Sequence, residues 1–460
     1  MNDQAPGSAQ TPQPAQTPQP ARPYRPPLDS LYDLITGDED ARVCKDIPSE
    51  SCNDQPRNFF TYLASNLLTK VADELASAKL VLPWLIGWLG APALLVGLLV
   101  PIREAGVLLP QLAVAAYIRR LLLRKWVWVI GSLASAAALG LMALTAATMS
   151  GGAAGWAVVG LLVIFSLARG LCSVSAKDVL GKTISKARRG NLMGLSAGIA
   201  GALILALGLL LNLIDDSRTG ALLFVILLGG AALLFAIAAG IFTLMREQPG
   251  ATAGGGNALS AALDSIGLLR SDPLFRHFVL VRIALLSVAL APPFYVLLAQ
   301  QASGSDLGAL GLLIIASGLA STVSAPLWGR LSDRSARLVM VIAAALAGLL
   351  GVVTWALVQG ASPLLGELAF ATLFLLLGIA HAGVRLGRKV YLVDMASSDT
   401  RAAMVAVSNT VIGVMMLLGG VVGVLGDLYG TAFVILALGL ASLAAAVAAL
   451  RLKEVSEPEY

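Results

Sequence analysis

Residues 329–337 read Gly-Arg-Leu-Ser-Asp-Arg-Ser-Ala-Arg, and residues 115–125 read Ala-Ala-Tyr-Ile-Arg-Arg-Leu-Leu-Leu-Arg-Lys. Setting Arg120 on Arg334 gives an offset of 214 residues, and that offset carries 273–302 onto 59–88 and 304–329 onto 90–115. A basic block after a pair of apolar segments, occurring twice, marks an internal repeat. The repeat decides where the first two helices lie. Hydropathy alone favours one helix at about 80–101 and leaves only the 16 residues Arg103 to Ile118 for the next, where about 20 are needed to cross a bilayer. The repeat instead predicts a first helix at about 58–88 and a second at about 91–118, joined at Leu89-Gly90-Ala91-Pro92. Ten further apolar blocks follow, at about 125–149, 153–176, 190–214, 218–245, 274–302, 304–329, 337–359, 363–384, 402–426 and 428–451. The expectation is an all-α membrane protein with twelve transmembrane helices in two six-helix pseudo-symmetric bundles.

Composition agrees. The chain of 460 residues is 57% hydrophobic and only 13% charged, with a mean hydropathy of +0.82. Soluble domains carry about 25% charged residues, so lipid must solvate most of this surface. A soluble enzyme, a secreted disulfide scaffold and a nucleic-acid module are excluded. Three cysteines and two histidines leave little room for a metal site, and no cofactor or metal is expected. The chain reads as a polar or disordered cytoplasmic tail (1–57), a first bundle (58–246), a cytoplasmic linker containing ATAGGGN (247–272), a second bundle (273–452) and a short tail (453–460). The run PAQTPQPARPYRPP within 1–57 is Pro/Gln-rich, a composition of disordered or extended chain. No apolar run follows a short basic start, so no signal peptide is read. Of the 32 basic residues, 26 fall in segments on one side, Arg218 falls opposite, and Lys70, Lys79, Arg103, Arg169 and Arg282 fall inside spans. That asymmetry predicts both termini on the cytoplasmic side of the plasma (inner) membrane.

These features resemble the major facilitator superfamily. Its signature loop, after the second and eighth helices, has a Gly, then Asp-Arg four and five residues on, then basic residues. Gly329, Asp333, Arg334 and Arg337 match it; in the first copy Arg120, Arg124 and Lys125 match, but Arg119 replaces the Asp and Ala115 the Gly. The resemblance implies two bundles rocking around a central cavity, with these loops as a cytoplasmic latch. The missing Asp weakens the latch expected in the first half.

The re-registered helices place Asp73, Glu74, Arg103 and Glu104 near the bilayer midplane, with Lys70 and Lys79 nearby. Each midplane charge costs about 2.5–3.5 kcal/mol on insertion scales, so such charges face cavities and pair. Lys70 and Glu74 are spaced for a bridge within one helix. Asn66, Lys70, Asp73 and Ser77 form a polar stripe, and Glu104 shares a helix face with Gln111. On the functional reading, Arg103 or Lys70 binds an anionic group, and Glu74, Asp73 or Glu104 carries a proton. Burial opposes ionisation of a carboxyl and a nearby cation favours it, so a conformational change can switch proton affinity. On the alternative reading the charges are a static network pinning helix 1 to helix 2. Arg169 and His381 occupy nearly equivalent repeat positions, and Asn409, Tyr295, Gln300, Ser317 and Ser321 are weaker cavity candidates. A lone intramembrane histidine is more often a packed, hydrogen-bonded residue.

Three lookalikes are set aside. Residues 176–183, AKDVLGKT, approximate a phosphate-binding loop but follow a membrane span rather than a buried strand. Cys44 and Cys52 lack two further ligands for zinc and are expected as reduced thiols. Gly194, Gly198 and Gly201 permit close helix packing but lack the Pro of the antiporter motif of the superfamily. The predicted function is a secondary transporter of a small solute with proton coupling, expected as a monomer in the lipid bilayer. Efflux of amphiphiles, or a non-transporting receptor on the same fold, are the alternatives.

Overall fold

The computed structural model describes residues 27–36, 47, 49–118, 120–212, 220–249, 267–303, 307–361, 366–397 and 400–455. Residues 1–42 form a unit of their own, in which helix α1 (Pro27–Thr36) opens on proline, as an N1 position favours. The second unit, Val43–Tyr460, holds the rest. It begins with a short α2 (Ser49–Asn53) and α3 (Gln55–Leu75). The tail read as disordered or polar includes helices at 27–36 and 49–53. Cys52 is disulfide-bonded rather than a free thiol. Counting zinc ligands tests for metal, not for oxidation, which is why the sequence reading missed it. Cys44, Arg119, Arg218 and the ATAGGGN run lie outside the described residues.

After α3 come α4 (Val81–Trp88), α5 (Ala93–Leu108) and α6 (Gln111–Ile118). Next are α7 (Lys125–Thr148), α8 (Gly151–Thr183), α9 (Lys186–Asn212) and α10 (Gly220–Thr243). A short α11 (Leu268–Ser271) precedes α12 (Pro273–Ala284), α13 (Leu286–Leu290) and α14 (Pro292–Ser303). The remainder are α15 (Leu307–Ser332), α16 (Ala336–Gln359), α17 (Glu367–Met395), α18 (Arg401–Gly419), α19 (Gly423–Tyr429) and α20 (Thr431–Leu450). Among the described residues, ten helical segments are long and apolar enough to cross a membrane. The two expected spans that do not qualify, at about 58–88 and 91–118, are broken and carry internal charges.

The breaks have local causes. Pro83 has no N–H for the Lys79 carbonyl, and its ring would clash with that carbonyl in a continuous helix. The chain turns instead at residues 76–80, where the Ser77 carbonyl accepts from the N–H groups of Leu80 and Leu82. Pro110 interrupts the second segment between Leu108 and Gln111 in the same way. Adding 214 to 76–80 gives 290–294, where Ala291 separates α13 from α14 ahead of Pro292 and Pro293. The repeat register read from the basic loops thus also aligns the interruptions of the first helix of each set.

Helices α3 to α10 pack chiefly among themselves, through α7 on α8 and α10, α3 on α10, and α5 on α8. Helices α12 to α20 do likewise, through α16 on α20 and α17 and α15 on α17. The two sets meet along α9 with α15, α5 with α18 and α19, and α4 with α14. The stripe Leu192, Ser196, Ala200 and Ile204 is the buried face of α9. Gly194, Gly198 and Gly201 fall on the opposite face and approach nothing, so the expected packing role passes to Gly208, which meets Gly311 and Ile315.

Candidate functional site

Charged side chains gather where the two sets face each other. Asp73 on α3 accepts from Arg103 on α5 at 3.1 Å and from Arg169 on α8 at 2.6 Å. Each guanidinium also lies over a phenyl ring, Arg103 on Phe165 at 5.1 Å and Arg169 on Phe235 at 5.0 Å. One carboxylate between two arginines, each backed by an aromatic face, ties three helices of the first set together.

Lys79 sits in the broken turn between α3 and α4. Its ammonium is 3.8 Å from Glu104 and 3.3 Å from His381 Nε2. Glu104 belongs to the first set and His381 to the second, so Lys79 spans the seam. Arg169 and His381, near-equivalent in the repeat, therefore both present a basic group to the first broken helix.

His381, Arg385 and Arg388 follow one another at i, i+4 and i+7 on α17, which puts them on one face. With Lys79 and Glu104 they line a cavity of about 110 Å³, whose apolar wall includes Val100, Leu108, Ile412 and Met416. A second cavity of about 400 Å³ shares Arg385 and adds Ser321, Ser324, Trp328 and Lys389. Arg385, Arg388 and Lys389 were expected in a loop, because the apolar block ends at 384. The structure continues α17 to Met395 and turns these residues into chamber lining. The helical spacing from His381 was the signal that would have found them.

The other expectations divide. The Lys70–Glu74 bridge is not among the ion pairs of the described residues. Glu74 instead borders a small apolar cavity with Leu80, Ile204, Leu227, Ile314 and Ser317. The polar stripe splits, since Asn66 donates to Ser196 on α9 while Asp73 turns to α5 and α8. Gln111 does not continue the face of Glu104, because the break at Leu109–Pro110 ends the shared register. Asn409 accepts from Arg282 at 3.0 Å, and Ser408 accepts from the same guanidinium. Arg282 is only 7% exposed, with neutral partners. Tyr295 is buried against Thr354, and Gln300 donates to the Trp84 carbonyl at 2.9 Å, so both are packing groups rather than chamber groups.

The expected latch loops are also rebuilt. Arg124 pairs with Asp178 on α8, and Glu247 accepts from the backbone N–H groups of Arg124 and Lys125 at 3.0 and 2.7 Å. Lys182 joins at 3.1 Å, and Lys125 donates to the carbonyls of Thr243 and Met245. The network lacking an Asp at 119 is thus completed from α8 and from Glu247, four residues past the end of α10. In the second copy Arg337 pairs with Glu454 at 3.3 Å and Ser335 donates to the same carboxylate. An acidic residue a few positions beyond each set's last helix therefore engages the start of the helix that follows the basic loop. Arg120, Asp333 and Arg334 are exposed, and Gly329 approaches nothing.

Contacts across the seam concentrate at the opposite end. Gly97 and Gly423 bring α5 against α19 so closely that a Cβ on Gly97 would stand 2.7 Å from the Gly423 Cα. Asp427 accepts from the N–H groups of Ala93 and Leu94. The larger cavity lies toward the loop end of α15 and α17.

Residues 282–460 match the model of the Major Facilitator Superfamily. No curated relative matches the sequence. The fold is similar to that of a mutant of the nucleoside transporter NupG, with a TM-score of 0.69 and 15% identity over 86% of this chain and 99% of that one. It is similar to a D-xylose-proton symporter, with a TM-score of 0.65 and 12% identity over 87% and 98%. It is also similar to the inward open xylose transporter XylE from E. coli, with a TM-score of 0.59 and 12% identity over 86% and 96%. The second half of the chain thus matches the Major Facilitator Superfamily in sequence, and the chain as a whole shares the fold of these solved transporters.

Proposed function

We propose that the protein is a secondary active transporter that moves a small polar or anionic solute by alternating access, with proton coupling. It crosses the inner (plasma) membrane twelve times, in bundles at 58–246 and 273–452 joined by a cytoplasmic linker, with both termini inside. The broken segments at about 58–88 and 91–118 are the two spans that apolarity does not reveal. Their charges are tolerated because they face the chamber and one another.

The observation that carries this reading is Lys79 in contact with Glu104 of its own set and His381 of the other. A solute exchanging with these groups senses both sets at once, which is what couples binding to rocking. Seam contacts at Gly97, Gly423 and Asp427 and a cavity toward the loop end fit an inward-facing state. Glu104 is the proton-carrying candidate, because it lines the chamber beside a cation. The Asp73–Arg103–Arg169 triad is read as scaffold: its carboxylate is already shared by two guanidinium groups.

Efflux of amphiphiles is favoured by one observation, the apolar cavity around Glu74. Proteoliposomes with an imposed pH gradient test both readings. The proposal expects gradient-driven movement of a small polar solute that Glu104→Gln abolishes and Glu74→Gln spares. The reverse pattern, with dyes as substrates, would establish efflux through Glu74.

A further inference from the structure

The geometry points to an organic oxyanion as the transported solute, held by Arg385 and Arg388 of α17 and by Lys79 across the seam. This inference rests on the transporter reading and gives it a substrate class.

The charge balance of the chamber carries it. The smaller cavity is lined by Lys79, Arg385 and Arg388, three cations, against Glu104, one carboxylate. Among the described residues, neither Arg385 nor Arg388 forms an ion pair. The other guanidinium groups near the midplane differ. Arg103 and Arg169 are bound to Asp73, and Arg282 is committed to Ser408 and Asn409. Arg385 and Arg388 are thus the guanidinium groups left to meet a ligand. Lys389, lining the larger cavity, adds a further positive charge, and among the described residues no acid lines that cavity.

Guanidinium forks match carboxylate and phosphate oxygens, and in a desolvated site such bonds are strong. About 110 Å³ is room for one such group rather than for a whole metabolite. The adjoining cavity of about 400 Å³ lies in the range of ordinary ligand sites, and Arg385 lines both. The fitting ligand places its charged group among Lys79, Arg385 and Arg388. Its body extends past Arg385 to the wall made by Ser321, Ser324 and Trp328. The net excess of two positive charges in the smaller cavity favours one doubly charged group or two carboxylates.

The cations also come from both sides of the seam, Lys79 from the first set and the arginines from the second. Without an anion they repel one another and oppose closure around an empty site. A bound oxyanion turns that repulsion into attraction, so occlusion follows loading.

The test uses the purified full-length protein, with thermal unfolding followed by tryptophan fluorescence. The probes are inorganic phosphate, succinate and benzoate, with xylose and uridine as neutral controls. Saturable stabilisation by one or more of the anions, and none by the neutral solutes, is expected. Arg388→Gln and Arg385→Gln should weaken that affinity by about tenfold to a hundredfold, the usual worth of one charge-assisted hydrogen bond. Arg388→Lys should recover part of it, and Arg276→Gln, which alters an exposed cation outside both cavities, should change nothing. Anion stabilisation that survives unchanged in the Arg385→Gln/Arg388→Gln double variant is a general salt effect and overturns the proposal. So does stabilisation by the neutral solutes alone. Counterflow in proteoliposomes then separates the two levels. Neutral solutes moving and anions excluded would overturn the anion site but keep the transporter. Anions binding without moving would keep the site and overturn transport.

Discussion

The Asp427 carboxylate accepts the backbone N–H of Ala93 at 2.7 Å, so a side chain of α19 caps the first turn of α5 across the seam. Its second oxygen takes the Leu94 N–H at 3.0 Å. Helix starts have N–H groups with no partner inside the helix, and a carboxylate there is worth about 0.5–2 kcal/mol. Because cap and helix belong to different sets, that stabilisation exists only while this end is closed. Asp427→Ala should shift the population toward the state open at this end by several-fold. Spin labels at Gly90 and Leu428, both exposed, would report longer separations. An unchanged distance distribution would show that the cap does not bias the equilibrium.

The same closure depends on two residues without side chains. A Cβ at Gly423 would stand 2.7 Å from the Leu94 carbonyl oxygen and 2.8 Å from its Cα. These are backbone atoms that cannot rotate away. Gly423→Ala should therefore hold this end apart and slow transport sharply while leaving expression intact. Gly194→Ala is the control, since nothing approaches that position. Equal transport by the two variants would mean that the closed seam is not visited during turnover.

Much of this arrangement is legible in the sequence, and the illegible part has a physical reason. The pair of basic loops at 115–125 and 329–337 locates two helices that fail as apolar spans. Those helices fail because Asp73, Lys79, Arg103 and Glu104 answer to one another and to the opposite set rather than to lipid. Arg385 and Arg388 escape for the converse reason. They follow an apolar block and look like the basic edge of a membrane span, and only the continued helix turns them inward. Pairing partners are harder still. Lys70 and Glu74 have the right spacing for a bridge, yet tertiary contacts bring Arg103 and Arg169 to Asp73 and leave Glu74 among apolar neighbours. Spacing along one helix reports which groups can meet, whereas the fold decides which do.

Asp73 should matter more for stability than for substrate choice. It neutralises two largely buried arginines at once, with Arg169 17% and Arg103 22% exposed. Removing one partner of a buried pair costs about 3–5 kcal/mol, because a charge is left without compensation. Asp73→Asn should lower the unfolding midpoint steeply. Asp73→Asn with Arg169→Gln should recover part of the loss, since fewer uncompensated charges remain. If the double variant is the less stable by the full sum of the single effects, the three groups do not act as a unit.

At the loop end, Glu247 and Asp333 should separate stability from gating. The Glu247 side chain is fully buried and accepts from the start of α7 and from Lys182. Glu247→Ala should cost about 2 kcal/mol or more by leaving those donors unsatisfied. Asp333 is exposed and forms no ion pair among the described residues, so Asp333→Asn should change stability by less than about 0.5 kcal/mol. Asp333 belongs to the superfamily loop read as a latch, so its partner is expected in the state with this end closed. Asp333→Asn should then speed opening of the loop end and alter turnover at unchanged melting temperature. A stopped-flow measurement of substrate release would detect it. Unaltered release and turnover would show that the second loop engages nothing in the other state.

Glu104 supplies the remaining prediction. The groups facing it in the chamber are Lys79, Arg385, Arg388 and His381. A proton on Glu104 removes the one negative charge that competes with an anionic solute for those cations. Loading by an oxyanion should therefore be favoured by protonation, and uptake should rise as the pH on the substrate side falls. Glu104→Gln mimics the protonated state permanently. It should bind the anion at least as well as the unaltered protein, lose the pH dependence of uptake, and retain exchange of internal for external substrate. The measurement is a comparison of gradient-driven uptake with counterflow in the same proteoliposomes. Loss of both activities would make Glu104 a structural partner of Lys79. Retention of gradient-driven uptake would place the proton elsewhere, with Glu74 the next group to neutralise.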